Sequence, residues 1–99
     1  MYESKLRSKD MDRLFEAVLT LKSIEECYMF FEDLCTISEL KSVAQRLKVA
    51  TLLKGKHTCH DISQYTGAST ATISRVNRCL NYGTGGYVMA LQRLEGQED

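Results

Sequence analysis

The sequence predicts an all-α protein of six helices. Proline is absent from the 99 residues, and the alternating β-branched runs typical of strands are scarce. Apolar residues instead recur at steps of three and four through most of the chain, which places them on one face of a helix. Two stretches, Ser23–Glu26 and Thr36–Glu39, also have the Ser/Thr-x-x-Glu pattern of a capping box, which marks a helix start.

The first two helices are predicted to form a dimer interface. The first helix, about residues 8 to 22, has its apolar residues on one side: Met11, Leu14, Phe15, Val18 and Leu21. In the second helix the run Tyr28–Phe31 is apolar at every position, so this helix is apolar on more than one side. Such a helix is buried on most sides. In a small chain a second copy supplies that cover most easily, so residues 1–36 are predicted to hold a homodimer together.

The third helix and the last helix flank residues 58–82 in the sequence, the segment that says most about function. The third begins at the second capping box and ends at Gly55, as a C-terminal glycine commonly does. Its predicted apolar stripe is Leu40, Val43, Ala44, Leu47 and Ala50. The last helix, residues 87–95, follows the glycine-rich run 83–86, which is interpreted as a hinge. The whole chain, 1–99, is predicted to be a single domain.

Residues 58–82 have the pattern of a helix-turn-helix. Thr58 and Ser69 are each predicted to be the N-cap of a helix, and Gly67 is expected to turn the chain at positive φ. The first helix of the pair is expected to direct Ile62 and Tyr65 inward. The second has a predicted buried stripe formed by Ile73, Val76 and Leu80.

The other faces of this second helix suit DNA. A helix that enters the major groove needs short side chains near its start, so that its backbone approaches the base edges. It also needs hydroxyl and guanidinium groups for bases and phosphates. An ordinary helical hairpin with solvated arginines is the alternative interpretation. The candidate DNA-binding residues are Lys54, Lys56, Ser69, Thr70, Ala71, Thr72, Ser74, Arg75 and Arg78.

The charge distribution supports the same interpretation. The formal net charge is zero, but residues 41–82 contain seven basic residues and one acidic residue, a net charge of +6. The other 57 residues contain six basic and twelve acidic residues, a net charge of −6. A basic segment within a neutral protein attracts phosphates locally. Lys54 and Lys56 are predicted phosphate contacts, and the alternative for both is a solvated helix end.

The sequence gives little support for a metalloprotein, an enzyme or a membrane protein. The four cysteines lack C-x-x-C spacing, so free thiols in a reducing cytoplasm are expected, with Cys27 and Cys35 in the core. The run His57-Thr-Cys-His60 lacks a fourth ligand at a suitable spacing, so no metal is predicted. No catalytic or cofactor pattern appears, and no membrane span is expected. The prediction is a protein that is not an enzyme and needs no cofactor.

The segment 67–75, Gly-Ala-Ser-Thr-Ala-Thr-Ile-Ser-Arg, resembles the Gly-Ala-x-x-Ala-Thr-Ile-Thr-Arg signature of the Trp-repressor family of bacterial regulators. The stretch 49–55 is similar to the family's preceding Leu-Leu-Arg-Gly, and the resemblance is greatest to the small YerC/YecD branch. It implies an intertwined, all-helical homodimer that reads double-stranded DNA. The docking geometry is taken over from helix-turn-helix proteins, Trp repressor among them.

The resemblance also implies a candidate ligand pocket formed by Leu47, Arg75, Val76 and Cys79. In tryptophan-responsive members two arginines hold the ligand; one matches Arg75, and the other falls at Leu47. The family's glycine is Val76 here and its serine is Cys79. These three departures predict that tryptophan is not the effector. Without the second arginine, phosphate contact is preferred for Arg75 over a vestigial pocket role or a surface ion pair.

The sequence therefore predicts a homodimeric, sequence-specific transcriptional repressor. Two alternatives remain open: a helical protein-interaction module with no DNA readout, and a sensor of an unknown small molecule other than tryptophan.

Overall fold

The computed structural model describes residues 2–96, and this range contains only helices as regular structure. The ends of the predicted domain, residue 1 and residues 97–99, lie outside the described residues. The all-α class with six helices is confirmed. The helices are α1 Lys9–Leu19, α2 Ile24–Leu34, α3 Ile37–Lys54, α4 Cys59–Thr66, α5 Thr70–Tyr82 and α6 Gly86–Gly96. The chain divides into two compact units, one ending at Ile37 and one starting at Ser38.

Serine caps begin both helices of the N-terminal unit. The Ser8 hydroxyl accepts a hydrogen bond from the Met11 N–H at 3.0 Å, and the Ser23 hydroxyl accepts from the Glu26 N–H at 3.1 Å. The second half of the predicted capping box differs from the expectation. The Glu26 carboxylate accepts from the Lys22 N–H at 2.9 Å, one residue before the cap. It still satisfies a backbone donor at the helix start, so α2 begins where the pattern predicts.

The N-terminal unit has no buried side chain in either helix. Large apolar residues are mostly exposed in the single chain, including Leu19 at 84% and Ile24 at 77%. Cys27, which was expected in the core, is exposed, and Cys35 is half-buried. That expectation is wrong for the single chain because two helices of eleven residues have too little apolar surface to enclose one another.

The C-terminal unit has a core of buried apolar residues. Among residues 38–96 seven residues are buried and all are apolar, and half-buried apolar residues pack around them. The predicted stripe of α5 is confirmed, with Ile73 and Val76 buried and Leu80 half-buried against the cluster. The buried residues are Val49, Ala50, Ile62, Ala68, Ile73, Val76 and Leu91.

The predicted stripe of α3 is only partly correct. Ala50 is buried as expected, but its buried neighbour is Val49, while Val43 and Leu47 are exposed. The C-terminal half of α3 packs within the core cluster, which is why adjacent positions are buried there. The first half of the helix has no such cover in the single chain.

The helix-turn-helix forms as predicted, with each helix capped by the expected residue. Thr58 accepts from the Asp61 N–H and Ser69 accepts from the Thr72 N–H, both at 3.1 Å. Gly67 lies at φ 72° and ψ 6°, in the left-handed region, and its N–H donates to the Ser63 carbonyl at 2.9 Å. This glycine therefore ends α4 and lets the chain reverse within three residues.

One expectation for α4 is wrong. Ile62 is fully buried, but Tyr65 is 78% exposed instead of facing inward. The side of α4 that packs holds Ile62 and Thr66, one helical turn apart, and Thr66 is half-buried. Position 65 lies about 60° of helical rotation from position 62, on the other side from Thr66, and the short helix has no neighbour there to cover its ring.

Replacing Gly67 tests the positive-φ turn. Apart from its two chain neighbours, no residue has a heavy atom within 4 Å of a Cβ added there, so the cost of Gly67→Ala comes from the left-handed conformation. We expect the free energy of unfolding in urea to fall by about 1 to 2 kcal/mol. Gly96→Ala is the matched control, since its Cβ also meets nothing and its φ is not positive. Equal stability of the two variants would contradict the role of Gly67.

Candidate nucleic-acid interface

The exposed face of α5 presents short polar side chains at its start. Thr70, Ala71 and Ser74 are exposed in the first turn and a half, opposite the buried Ile73 and Val76. The helix is anchored by its apolar stripe, so its small residues are left on the outer surface. A backbone with such short side chains can approach a groove closely.

Thr72 differs from these residues because it is half-buried and already bonded. Its hydroxyl accepts from the Ser69 hydroxyl at 3.1 Å, while its N–H donates to the same Ser69 oxygen. The Ser69 side chain therefore caps the start of α5, and its hydroxyl is held by the Thr72 side chain. The hydroxyl proton of Thr72 remains available for one acceptor.

Two arginines lie on the outer surface of α5 without an ion pair to any described residue. Arg75 and Arg78 are both exposed, and the ion pairs of residues 2–96 involve other side chains. Because guanidinium groups that lack an internal carboxylate partner are free to bind phosphate, both are suited to the predicted role.

Lys56 has an unusual backbone conformation. It is the one described non-glycine residue at positive φ, 65°. The N–H of His57 donates to the Leu52 carbonyl at 3.1 Å, and the N–H of Lys56 donates to the Leu53 carbonyl at 3.0 Å. These two bonds define a Schellman motif with Lys56 in the position usually held by glycine. The expectation that α3 ends at Gly55 is met, since the last helical residue is Lys54, but the left-handed residue that follows is Lys56 and not Gly55.

Lys54 forms an ion pair within the chain. Its ammonium lies 3.3 Å from a carboxylate oxygen of Glu95 on α6, and 65% of the Glu95 side chain is exposed. An ion pair this exposed contributes roughly 0 to 1 kcal/mol to stability. A phosphate that binds Lys54 has to compete with Glu95, whereas Lys56 has no described ion-pair partner.

The four residues of the candidate ligand pocket do not all come together. Leu47 and Cys79 line an open, apolar cavity of about 540 Å³ in the C-terminal unit. Val76 is buried in the core, and Arg75 is not among the lining residues. The arginine at the cavity is Arg46, which the sequence did not single out. Arg46 lies three residues after Val43 and therefore on the same face of α3, and this spacing could have placed it at the cavity that both residues line.

Two further observations concern other functional classes. Among residues 2–96 no three His, Cys, Asp or Glu side chains are grouped closely enough to hold a metal ion. None of the described helices combines the length and the apolar character needed to cross a membrane.

The fold and the polar outer face of α5 define a helix-turn-helix protein. Residues 9–95 match the Trp repressor protein family. The chain belongs to this family, which is one of DNA-binding regulators.

Three relatives cover nearly the whole chain. The protein YerC of Bacillus subtilis strain 168 is 58% identical over 98 residues, which is 99% of this chain and 94% of YerC. A crystal structure of a TrpR-like protein from Eubacterium eligens superposes with a TM-score of 0.89 at 52% identity, covering 96% of this chain and 98% of that one. A candidate Trp repressor from Staphylococcus aureus gives the same TM-score at 53% identity, covering 92% and 91%. The predicted family resemblance is therefore confirmed.

The positive φ of Lys56 predicts that glycine stabilises the protein relative to alanine at this position, whereas it usually destabilises a helix. We expect Lys56→Gly to have a free energy of unfolding higher than that of Lys56→Ala by about 1 kcal/mol, because glycine adopts positive φ without a side-chain penalty. Lys48 supplies the control, since it is exposed in the interior of α3. There the glycine variant should be the less stable of the pair by about 1 kcal/mol. The same order at both positions would contradict a left-handed Lys56.

Proposed function

We propose that this protein is a homodimeric, cytoplasmic transcriptional repressor that reads the major groove with α5 and catalyses no reaction. The observation that carries the proposal is the outer face of α5, where Thr70, Ala71 and Ser74 are exposed beside Arg75 and Arg78. Membership of a family of DNA-binding regulators supports the same function. Short residues approach base edges, directly or through water, while the cations bind phosphates.

The phosphate contacts are ranked by their ion pairing. Arg75, Arg78 and Lys56 have no described ion-pair partner, so they are the principal proposed contacts. Lys54 contributes less because Glu95 competes for it. Thr72 and Ser69 hold the helix start, and Thr72 donates its remaining hydroxyl proton to the DNA.

A second copy of the chain is proposed to cover the N-terminal helices. Tyr28 and Met29 are 65% and 69% exposed, and the unit has no buried side chain of its own in α1 or α2. Large apolar side chains exposed in this number are typical of an interface. Twofold symmetry also suits the reader, since it sets two recognition helices about 34 Å apart, one turn of DNA.

A small-molecule effector is the second candidate function, favoured by the cavity at Leu47 and Cys79. Its walls are mainly apolar, and Arg46 and Tyr87 are among the lining residues, so it suits an apolar molecule with a negative group. Tryptophan is disfavoured because Leu47 stands where the resemblance implies the second ligand-binding arginine.

The first experiment is fluorescence anisotropy with a pool of genomic duplexes at two salt concentrations, with and without tryptophan. We expect selection of a palindromic site, weaker binding at higher salt, and no change with tryptophan. Absence of binding at low salt in both conditions would reject DNA readout and favour a protein-interaction module. An increase in DNA affinity with tryptophan would contradict the prediction that tryptophan is not the effector.

Two substitutions separate base contacts from phosphate contacts. Ser74→Ala should weaken binding to the selected site by about threefold to tenfold and leave random DNA unchanged, because it removes one hydrogen bond to a base edge. Lys56→Gly should weaken both alike and lower the salt slope by about 0.9 for each copy, because it removes one phosphate contact without adding strain. A selective loss in Lys56→Gly would reject its assignment as a phosphate contact.

The dimer is tested by a matched pair of charged substitutions. In sedimentation equilibrium the wild type should have twice the 11.3 kDa mass of the chain. Met29→Glu should raise the dimer dissociation constant by about tenfold or more, because the symmetric interface buries the charge twice. Tyr65 is similarly exposed on α4, so Tyr65→Glu should leave the constant unchanged. Equal effects would argue against an interface formed by the N-terminal helices.

A further inference from the structure

Thr66, the last residue of α4, is the centre of a hydrogen-bond network at the turn of the helix-turn-helix. Its hydroxyl donates to the Ile62 carbonyl at 2.7 Å and accepts from the Ala68 N–H at 3.1 Å. Its carbonyl accepts from the side-chain amide of Gln45 at 3.0 Å. Three bonds therefore meet at the residue where the chain leaves α4.

The bond from Gln45 differs in kind from the other two. Those join residues at most four positions apart, whereas Gln45 lies 21 positions before Thr66, on α3. Both side chains are half-buried, and a hydrogen bond shielded from water is stronger than an exposed one. The Thr66 carbonyl is at a helix C-terminus, where the helix itself supplies no partner. Gln45 thus connects the turn to a helix outside the motif.

We propose that Gln45 is a positioning residue for DNA readout. Through Thr66 it fixes the turn from which α5 starts, and so the direction in which Thr70, Ala71 and Ser74 face. This inference rests on the proposed function, because it concerns how the same recognition helix is held. Gln45 lies on α3 and is proposed to touch neither base nor phosphate. The orientation of the recognition helix is then set by a hydrogen bond within the chain.

The two components of DNA binding respond differently to a loose turn. Contacts to base edges depend on a fixed geometry, whereas attraction to phosphates is long-ranged and tolerates motion. Loss of the Gln45 bond lowers the fraction of molecules whose α5 is correctly oriented, and apparent affinity falls by that fraction. The loss therefore affects the specific site and spares random DNA, which is the opposite of the pattern expected for a phosphate contact.

The test uses Gln45→Met, which keeps the length and the neutral charge of the side chain and removes the donor. Affinity for the selected site should fall by roughly threefold to tenfold, with random-DNA affinity and salt slope unchanged. In the free protein the amides of Ala68 and Ile73 should exchange hydrogen faster, because the turn and the start of α5 are loosened. Gln92→Met is the control, since Gln92 is exposed on α6.

Substitutions at Thr66 test the same network from its other side. Thr66→Val removes the hydroxyl and should lower the affinity for the selected site while sparing random DNA. Thr66→Ser keeps the hydroxyl and should retain the wild-type affinity. The double variant Gln45→Met, Thr66→Val should lose less than the product of the single losses, because both act on one turn. Thr66→Val leaves the carbonyl that Gln45 binds in place, so if Gln45→Met is poorly folded it tests whether a turn loosened at Thr66 costs affinity for the specific site alone, as the inference requires.

Two outcomes would overturn the inference. The first is a folded Gln45→Met protein with the specific affinity and exchange rates of Gln92→Met. The second is an equal loss on specific and random DNA, which would assign Gln45 to phosphate binding. Either result leaves the proposed function standing, provided that the wild type selects a site. A wild type that binds no duplex removes the proposed function, and the positioning role is then rejected with it.

Discussion

The helix-turn-helix depends on the burial of two adjacent residues in the C-terminal half of α3. Val49 and Ala50 have no exposed surface, and Ile62, Ile73 and Val76 join them in one apolar cluster. Neighbouring positions on a helix point about 100° apart, so burying both requires cover over a wide sector. That cover comes from the core cluster, which fixes which side of α5 faces inward. The polar side of α5 is exposed as a direct consequence.

The polar interactions around this core act mainly at helix ends. Thr58 and Ser69 cap the two helices of the motif, and Thr66 joins the turn to Gln45 on α3. Each satisfies a backbone group that a helix end leaves without a partner. Apolar burial is the dominant favourable contribution to folding, while the caps and the proposed role of Gln45 concern the direction of α5. A reader of base edges needs both, because affinity without orientation gives only non-specific binding.

The two units differ in how completely they bury their apolar residues. The C-terminal unit encloses a core, whereas α1 and α2 contain no buried side chain. This asymmetry separates the two tasks of the proposed dimer, with association assigned to the N-terminal helices and DNA contact to the motif. Charge is divided as well, since the basic segment 41–82 lies in a neutral chain. Electrostatic attraction to DNA is thereby restricted to the part proposed to touch it.

The sequence alone determined the features that arise within a few residues. Helix starts followed from caps such as Ser23 and Ser69, the stripe of α5 followed from its periodicity, and the turn at Gly67 followed from glycine's tolerance of positive φ. These are local effects, so a local pattern predicts them. The family signature at 67–75 was equally local.

Only the tertiary structure decided what depends on contacts between distant segments. It put Tyr65 in solvent and Val49 in the core, it gave the left-handed position to Lys56 and not to Gly55, and it paired Lys54 with Glu95. The bond from Gln45 to Thr66 has no signal in the sequence, because 21 residues separate two ordinary polar side chains. Helical periodicity fixes a direction around each axis, but which neighbour covers that direction is set by packing.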